Sequence, residues 1–145
     1  MQICTREIVT VTLGTTIIEA ARLMRDKHVG TVLVMSGTLP PRPIGILTDR
    51  DIVIRVVAFA GQQTILAVEQ VMSTALVVAP GSTGVHEAIE LMRDRGVRRL
   101  LVTGEDGELN GIVSFDDVMT LIAEELGGLA HSIAAGLLRE EKNLD

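Results

Sequence analysis

Residues 45–51 read GILTDRD, and residues 111–117 read GIVSFDD. Each copy begins with a glycine and two apolar residues, continues with a hydroxyl residue, and has an aspartate three positions after that hydroxyl. The apolar residues are typical of the end of a strand. Thr48 and Ser114 stand where the N-cap of a helix is expected, because helical patterning follows both. Each copy therefore predicts a strand that runs directly into a helix.

Such a junction suggests an anion site. A strand that ends at a helix N-terminus leaves backbone N–H groups unpaired and places the positive end of the helix dipole at the turn. Thr48 or Ser114 could donate a hydroxyl to a phosphate, and Asp51 or Asp117 could accept hydrogen bonds from a ribose diol. The same spacing is also close to a capping box, which needs no ligand, so either copy alone leaves both interpretations open.

The sequence around the two copies repeats as well. Residues 19–26 read EAARLMRD and residues 87–94 read EAIELMRD, a shift of 68, whereas the two glycines differ by 66, so the second hairpin loop is two residues shorter. Each half has the pattern β-α-β-β-α, which is too small to bury its own sheet face. The sequence therefore predicts an α+β fold in which two repeats pack through their sheets, with the helices outside.

The element pattern gives the boundaries of this duplication. We predict a first repeat over 1–62, a linker and second repeat over 63–126, and a helical tail over 127–145, with a break at 61–63. The predicted strands are 8–11, 29–35, 43–47, 76–78, 97–103 and 109–113; the predicted helices are 17–27, 49 to about 59, 85–95 and one from about 115, with a turn and cap at 80–83 and a hairpin turn at 104–107.

The tail has a long apolar stripe. Its members follow one another at intervals of three or four residues, the spacing of an amphipathic helix: Val118, Ile122, Leu126, Leu129, Ile133 and Leu137. Gly127 and Gly128 allow a bend. The length of the stripe favours a contact with another chain.

Composition excludes several classes of protein. Thirteen basic and 19 acidic residues give a net charge of −6, and the only aromatic residues are Phe59 and Phe115, so a general nucleic-acid surface is not expected. No uncharged apolar run has the length of a membrane span, and the N-terminal residues lack a signal-peptide pattern, so we expect a cytoplasmic protein. One cysteine, Cys4, excludes an internal disulfide, and the three histidines lack metal-ligand spacing. No nucleophile or nucleotide-loop motif appears, so we expect neither a metal site nor catalytic residues.

The two motifs resemble those of a known family. Together with the strand at 97–102 and residues 117–119, they are similar to a tandem pair of cystathionine β-synthase (CBS) domains, or Bateman module, over about residues 3–126. The resemblance implies two pseudo-symmetric repeats with related clefts between them. Such clefts bind AMP, ADP, ATP, S-adenosylmethionine or NAD as regulatory ligands, with no cofactor required.

The resemblance also implies roles for individual residues. The ribose-binding aspartate corresponds to Asp51 and Asp117, the phosphate-contacting hydroxyl to Thr48 and Ser114, and the apolar residue over the base to Ile46 and Ile112. The first strand of each repeat lines the opposite cleft, which assigns Val9 to the second cleft and Val77 to the first. The start of the middle strand corresponds to residues 29–31 and 97–99, of which Gly30, Arg98 and Arg99 are the predicted ligand contacts.

The two arginines are the strongest phosphate candidates, because guanidinium groups suit phosphate and side chains alternate across a strand, so one of them should face the cleft. The alternative is an arginine that is solvated or paired with Asp94. If one cleft alone holds a polyphosphate, we expect it to be the cleft lined by Arg98 or Arg99.

These observations predict a homodimeric sensor of adenine nucleotides that changes conformation and signals to a separate effector protein. The alternative is a structural dimerisation module with unoccupied clefts, and an enzyme ranks last. The sensor hypothesis fails if Asp51 and Asp117 both face away from any crevice and serve only as caps.

Overall fold

The computed structural model describes Cys4 and residues 7–59 and 65–142. The predicted break at 61–63, the boundary between 62 and 63, and residues 143–145 of the tail lie outside the described residues. The chain divides into two units: Arg6–Val77 forms the first, and Val78–Asp145 together with the N-terminal residues that include Cys4 forms the second. We describe each by itself.

The first unit has the predicted β-α-β-β-α order. Its elements are β1 (Thr10–Thr12), α1 (Ile17–Lys27), β2 (Thr31–Met35), β3 (Pro43–Thr48), α2 (Asp49–Arg55) and two short 3₁₀ helices, Val57–Phe59 and Val68–Gln70. The sheet order is β1-β2-β3, with β1 parallel and β3 antiparallel to β2. Residues from all three strands and α1 form the core, together with Val68 and Val71.

The second unit repeats this order. It contains β4 (Val78–Pro80), α3 (Val85–Arg95), β5 (Arg99–Thr103), β6 (Leu109–Ser114) and α4 (Phe115–Lys142). Its sheet order is β4-β5-β6, again parallel and then antiparallel. The α+β class and the duplicated three-stranded sheets are therefore confirmed.

Capping fixes the ends of the first helices in each unit. Thr16 and Glu19 form a capping box at the start of α1, with the Thr16 backbone N–H donating to Glu19 at 2.8 Å. In contrast, the N-cap residue of α3 is Gly84, which offers no side-chain cap, so the predicted cap at 80–83 is wrong. Both helices end in a left-handed residue, His28 (φ 54°) in the first unit and Gly96 (φ 63°) in the second.

Several element boundaries also differ from prediction, and β1, β2 and β5 each begin two residues later than predicted. Helix α2 ends at Arg55, not near residue 59, because its C-terminal half and the following residues are largely β-branched, which lowers helix propensity. The first strand of the second repeat is Val78–Pro80, not 76–78. Sequence reasoning took Pro80 as a turn residue, but β4 is an edge strand, where proline is tolerated.

The last helix, α4, continues for 28 residues through Gly127 and Gly128, or about 42 Å at 1.5 Å per residue. It therefore crosses the predicted boundary between residues 126 and 127 without ending. Val118 is fully buried, whereas Leu126, Leu129, Ile133 and Leu137 are exposed. Within the described part of the chain, no helix combines the length and the apolar character needed to cross a membrane.

Candidate functional site

The start of α4 holds Ser114 and Asp117 in a reciprocal arrangement. The Ser114 backbone N–H and hydroxyl donate to Oδ2 of Asp117 at 2.7 and 2.6 Å. The Asp117 backbone N–H donates in turn to Ser114 Oγ at 3.1 Å. Both residues are half-buried. One carboxylate oxygen is thus fixed by the cap, while none of these bonds uses Oδ1.

The start of α2 repeats this geometry. Thr48 donates from its backbone N–H and its hydroxyl to Oδ2 of Asp51 at 3.1 and 2.6 Å, and the Asp51 N–H returns a bond to Thr48 Oγ1 at 3.1 Å. Here the second oxygen is engaged as well, because Arg55 Nε lies 3.6 Å from Asp51 Oδ1 and Arg55 Nη1 donates to the Val71 carbonyl. In the second repeat the position equivalent to Arg55 is Leu121, so the two aspartates differ in charge environment.

The capping alternative is therefore confirmed for both motifs, and one expectation needs correction. The sequence predicted unpaired N–H groups at each turn, but the caps pair Thr48, Asp51, Ser114 and Asp117. Two further N–H groups donate to the residues just before β2 and β5: Asp49 to the Gly30 carbonyl at 3.1 Å and Phe115 to the Arg98 carbonyl at 2.9 Å. The helix starts offer fewer free donors than expected, so an anion would depend mainly on side chains.

Arg99 is the arginine that lies opposite the hydroxyl residue of the second motif in the sheet. It is paired directly with Ser114 across β5 and β6, and directly opposed residues share a face. Arg99 is half-buried, and none of the ion pairs among the described residues involves it. The second unit thus brings together Arg99, Ser114 and Asp117.

Arg98 points elsewhere. Its guanidinium lies 3.3 Å from Asp116 Oδ1 and 5.9 Å from the centre of the Phe115 ring. The predicted pairing alternative was Asp94, so the partner was wrong, although a surface ion pair does form. Such a pair is weak, since both side chains are largely exposed.

In the first unit, a threonine replaces the second unit's arginine. Thr31 is paired with Thr48 in the same register that joins Arg99 to Ser114. Thr31 belongs to the start of the middle strand that the resemblance matched, residues 29–31, whereas sequence reasoning did not select Arg55 beside Asp51. The spacing of four between Asp51 and Arg55 was a readable signal for a helical ion pair.

The predicted Gly30 occupies the turn before β2. A Cβ there would lie 2.9 Å from Oδ2 of the exposed Asp49 side chain, which can rotate away, so this contact alone does not require glycine. Gly30 also lines an open pocket of about 540 Å³ within the first unit, between α1 and α2. The other lining residues are Ala21, Met24, Arg25, His28, Val29, Asp49, Ile52 and Val53, a set without Thr48 or Asp51.

The predicted base-covering residues lie on the last strands. Ile46 and Ile112 are half-buried and occupy equivalent positions, opposite Leu33 and Leu101. The Ile46 backbone is already paired, since it exchanges two 2.9 Å hydrogen bonds with Ser73. A ligand could therefore contact Ile46 through its side chain only.

Val9 and Val77 lie just before β1 and β4, respectively, and are half-buried. The Val9 carbonyl accepts a bond from Leu33 at 2.9 Å, and its side chain packs against the core of its own unit. Val9 therefore packs against the core of its own unit. For both valines, contact with a ligand stays a prediction.

Among the described residues, no three His, Cys, Asp or Glu side chains lie close enough together to bind a metal ion. The thiol of Cys4 is free and half-buried.

A family model provides the identification. The CBS domain model matches this chain twice, over residues 1–58 and 68–124, which together exceed half of the sequence. The chain belongs to the CBS domain family. The tandem CBS pair predicted from the motifs is confirmed, with one match on each repeat.

Relatives of this CBS pair include proteins of similar length and longer ones. The CBS domain-containing protein YhcV of Bacillus subtilis is 37% identical over 115 residues, covering 79% of this chain and 78% of YhcV. An uncharacterised Methanopyrus kandleri protein is 32% identical over 118 residues, and the match covers 81% of this chain but only 59% of that protein.

Solved CBS structures share the fold. A Pyrobaculum aerophilum CBS domain protein complexed with AMP has a TM-score of 0.68 and 25% identity, covering 80% of this chain and 86% of that one. A hexameric CBS-CP12 protein from bloom-forming cyanobacteria has a TM-score of 0.73 and 30% identity, covering 81% of this chain and 66% of that one.

Proposed function

We propose that this CBS pair is a regulatory module that binds an adenine nucleotide, with the ribose on Asp117 and the phosphate on Arg99 and Ser114. The observation that carries the proposal is the pairing of Arg99 with Ser114 beside the capped carboxylate of Asp117. The AMP bound to the Pyrobaculum relative supports the ligand class.

The capping box is compatible with this role. An ionised carboxylate has about four acceptor sites on two oxygens, and the cap uses only Oδ2 of Asp117. The cap also fixes the orientation of the carboxylate, so less side-chain freedom is lost when Oδ1 accepts from a ribose hydroxyl. An ionised acceptor strengthens such bonds relative to neutral ones.

Phosphate binding requires a rearrangement of hydroxyl and guanidinium groups. Ser114 donates its proton to Asp117, so it must turn to donate to a phosphate, which leaves the guanidinium of Arg99 as the main phosphate contact. Arg98 could join it, because its surface pair with Asp116 is worth little.

The two repeats should differ in ligand preference. In the first repeat Thr31 replaces the arginine opposite the hydroxyl, and Arg55 competes for Asp51. We therefore propose that the second repeat holds the phosphorylated ligand, and that Thr48, Asp51 and Gly30 bind a less charged adenosyl compound or none. Ile46, Ile112, Val9 and Val77 remain the proposed contacts to the base.

We propose a non-catalytic, cytoplasmic homodimer that transmits the bound state to a separate effector protein. Several exposed apolar residues on α2 and the 3₁₀ helix after it support self-association: Val53, Ile54, Val57 and Phe59. The same residues are consistent with the alternative, a structural dimerisation module with unoccupied sites.

Calorimetric titration with AMP, ADP, ATP, NAD, S-adenosylmethionine and adenosine decides between the two functions. We expect binding of at least one nucleotide and weaker binding of adenosine, which lacks the phosphate. The chain has no Trp or Tyr, so any adenine retained through purification would dominate its ultraviolet spectrum. Flat titrations for all six compounds, with no retained adenine, would contradict the sensor and favour the structural module.

A further inference from the structure

The two motif aspartates differ in the side chain that stands one helical turn after them. Arg55 is the last residue of α2, four positions after Asp51, and its Nε lies 3.6 Å from Asp51 Oδ1. The equivalent position in α4 is Leu121, four positions after Asp117. None of the ion pairs in the described part of the chain involves Asp117. The carboxylate of the second repeat is therefore more available to a ligand than that of the first.

Arg55 is held in place by a second contact. Its Nη1 donates to the Val71 carbonyl at 2.9 Å, across 16 positions of sequence. Val71 is buried in the core of the first unit, and its N–H donates to the Val68 carbonyl at 3.1 Å. Because this acceptor is a fixed part of the fold, the guanidinium loses less side-chain freedom when it pairs with Asp51 than an unanchored surface arginine would.

The guanidinium and a ribose compete for the same oxygen. Thr48 already donates twice to Oδ2 of Asp51, at 3.1 and 2.6 Å, so Oδ1 is the oxygen that the cap leaves. Guanidinium N–H groups and ribose hydroxyls both donate to a carboxylate. The Asp51 side chain is only 21% exposed, so few directions of approach are open. A sugar that binds Asp51 must take Oδ1 from Arg55 or share it.

The other role for Arg55 would be contact with a phosphate in the first repeat, and its position opposes that role. Arg55 ends α2, about 10 Å along the helix from Thr48, the predicted phosphate contact. The C-terminal end of a helix carries the negative end of the dipole, which favours a cation and disfavours a phosphate. The contacts of Arg55 with Asp51 and Val71 point to a side chain that serves the aspartate.

We propose that Arg55 closes the first repeat to nucleosides by occupying the Asp51 carboxylate, and that the side chain four residues after the motif aspartate selects the repeat that binds. This closure rests on the proposed function, because it requires the motif aspartates to bind ribose. It adds the residue that chooses between them. The second repeat is open because Leu121 has no group to offer Asp117.

Replacing Arg55 with the residue of the second repeat tests the closure. In an Asp117→Asn background, which weakens the second site, Arg55→Leu should strengthen adenosine binding by about 5-fold, the scale of one ion pair. Adding Asp51→Asn should abolish the gain, because the gain requires the freed carboxylate. Calorimetry measures each chain.

The matched control is Arg50→Leu in the same background. Arg50 is exposed on the same helix, and adjacent helix positions do not face each other, so it does not share the face of Asp51. This variant removes the same charge as Arg55→Leu and should leave adenosine affinity unchanged. An equal gain from both variants would mean that net charge alone is responsible, and it would refute the closure.

The reciprocal change tests the same rule in the second repeat. Leu121→Arg should weaken AMP binding by about 5-fold, because residues four apart on a helix are neighbours and an arginine there would reach Asp117. Leu121→Met is its control, since it keeps an apolar side chain of similar volume. Leu121→Arg leaves the contact of Arg55 with Val71 intact, so it tests the rule even if circular dichroism shows that Arg55→Leu fails to fold.

The outcomes separate the closure from the sensor function. If wild type binds a nucleotide but Arg55→Leu or Leu121→Arg leaves affinity unchanged, the closure is refuted and the sensor stands. If Arg55→Leu weakens binding of AMP but not of adenosine, Arg55 contacts a phosphate and the closure is refuted. If wild type gives flat titrations and Arg55→Leu gains binding, the closure stands and the assignment of the ligand to the second repeat fails. Flat titrations for every chain would refute both.

Discussion

At the scale of single residues, Asp51 and Asp117 serve their own helices before they serve any ligand. Each accepts two hydrogen bonds at Oδ2 from a Ser or Thr and donates one from its backbone N–H to the hydroxyl oxygen of that residue. They differ at Oδ1, where Arg55 lies beside Asp51. A test of ligand binding must therefore separate the loss of a cap from the loss of a ligand contact.

Asp117→Asn should weaken binding of the best nucleotide by about 10- to 100-fold, the equivalent of about 1.5–3 kcal/mol for a hydrogen bond to a charged group. Asp51→Asn should have a smaller effect, because Arg55 already engages that carboxylate. Calorimetry measures both. Glu19→Gln is the matched control, since it weakens the α1 capping box, which has no proposed ligand role, and should leave affinity unchanged. Unchanged affinity in both aspartate variants would refute the ribose assignment.

Arg99→Met should weaken AMP and ATP binding by about 10-fold or more while leaving adenosine binding nearly unchanged, because the guanidinium is proposed to contact phosphate alone. The control is Arg95→Met, an exposed arginine in the last turn of α3. Titration of each variant with all three compounds gives the answer. An equal loss of affinity for adenosine and for AMP would mean that Arg99 affects binding through the fold and does not contact the phosphate.

At the scale of elements, the caps explain where the helices begin and end. Helix α1 has a side-chain cap at its N-terminus and a non-glycine residue, His28, in a left-handed conformation at its C-terminus. Helix α3 has the reverse combination, with no side-chain cap at Gly84 and a glycine at position 96. In the first repeat this helix is therefore better capped at its N-terminus, and in the second repeat it is better capped at its C-terminus.

His28→Gly should stabilise the protein slightly, because glycine adopts positive φ without steric penalty, although it also increases the entropy of the unfolded chain. The reciprocal change, Gly96→His, should lower the free energy of unfolding by about 1 kcal/mol, the scale of the left-handed penalty. Urea unfolding followed by circular dichroism measures both. Equal changes of the same sign in the free energy of unfolding would contradict the inference that both positions favour glycine because of their positive φ.

The α1 cap should make stability depend on pH. The Thr16 backbone N–H, and then its hydroxyl, hold the pKa of Glu19 below its usual 4.5. Because the folded-state pKa is lowered, the ionised carboxylate stabilises the fold above about pH 4.5 and loses that contribution as the pH falls through the folded value. Wild type should exceed Glu19→Gln in stability at neutral pH, and the difference should shrink on acidification. Urea unfolding from pH 7 to pH 3 measures this difference. If the difference in the free energy of unfolding between wild type and Glu19→Gln stayed constant over that range, this cap would be excluded as the origin of the pH dependence.

At the scale of the whole molecule, ligand binding and folding should be linked. A ligand that binds only the folded chain stabilises it by about 2.7 kcal/mol when present at 100 times its Kd. The best nucleotide should therefore raise the Tm of wild type by several degrees, as followed by circular dichroism. Asp117→Asn should show a smaller rise at the same nucleotide concentration, and Glu19→Gln the full rise relative to its own starting Tm. Identical shifts in wild type and Asp117→Asn would place the ligand away from Asp117.

Register shows why part of the candidate site could not be predicted. In each antiparallel pair an irregularity, at Val34/Met35 and at Val102/Thr103, shifts the pairing by one residue. Counting back from the hairpin loop without this bulge would place Arg99 opposite Val113, on the other face from Ser114. Sequence reasoning could propose that Arg98 or Arg99 faces the site, but the bulge decides that Arg99 lies beside the hydroxyl.

The sequence by itself determined the duplication, the strand-to-helix motifs and the amphipathic spacing of the last helix. The duplication is visible as repeated residues, and the other two features depend on residues three or four apart, whose contacts follow from helix geometry and capping preferences alone. Only the tertiary structure decided the pairing of Arg99 with Ser114, the ion pair of Arg98 with Asp116, and the exposure of the α4 stripe. Those properties arise between segments distant in sequence, where a single bulge or the end of a neighbouring element changes which side chains meet.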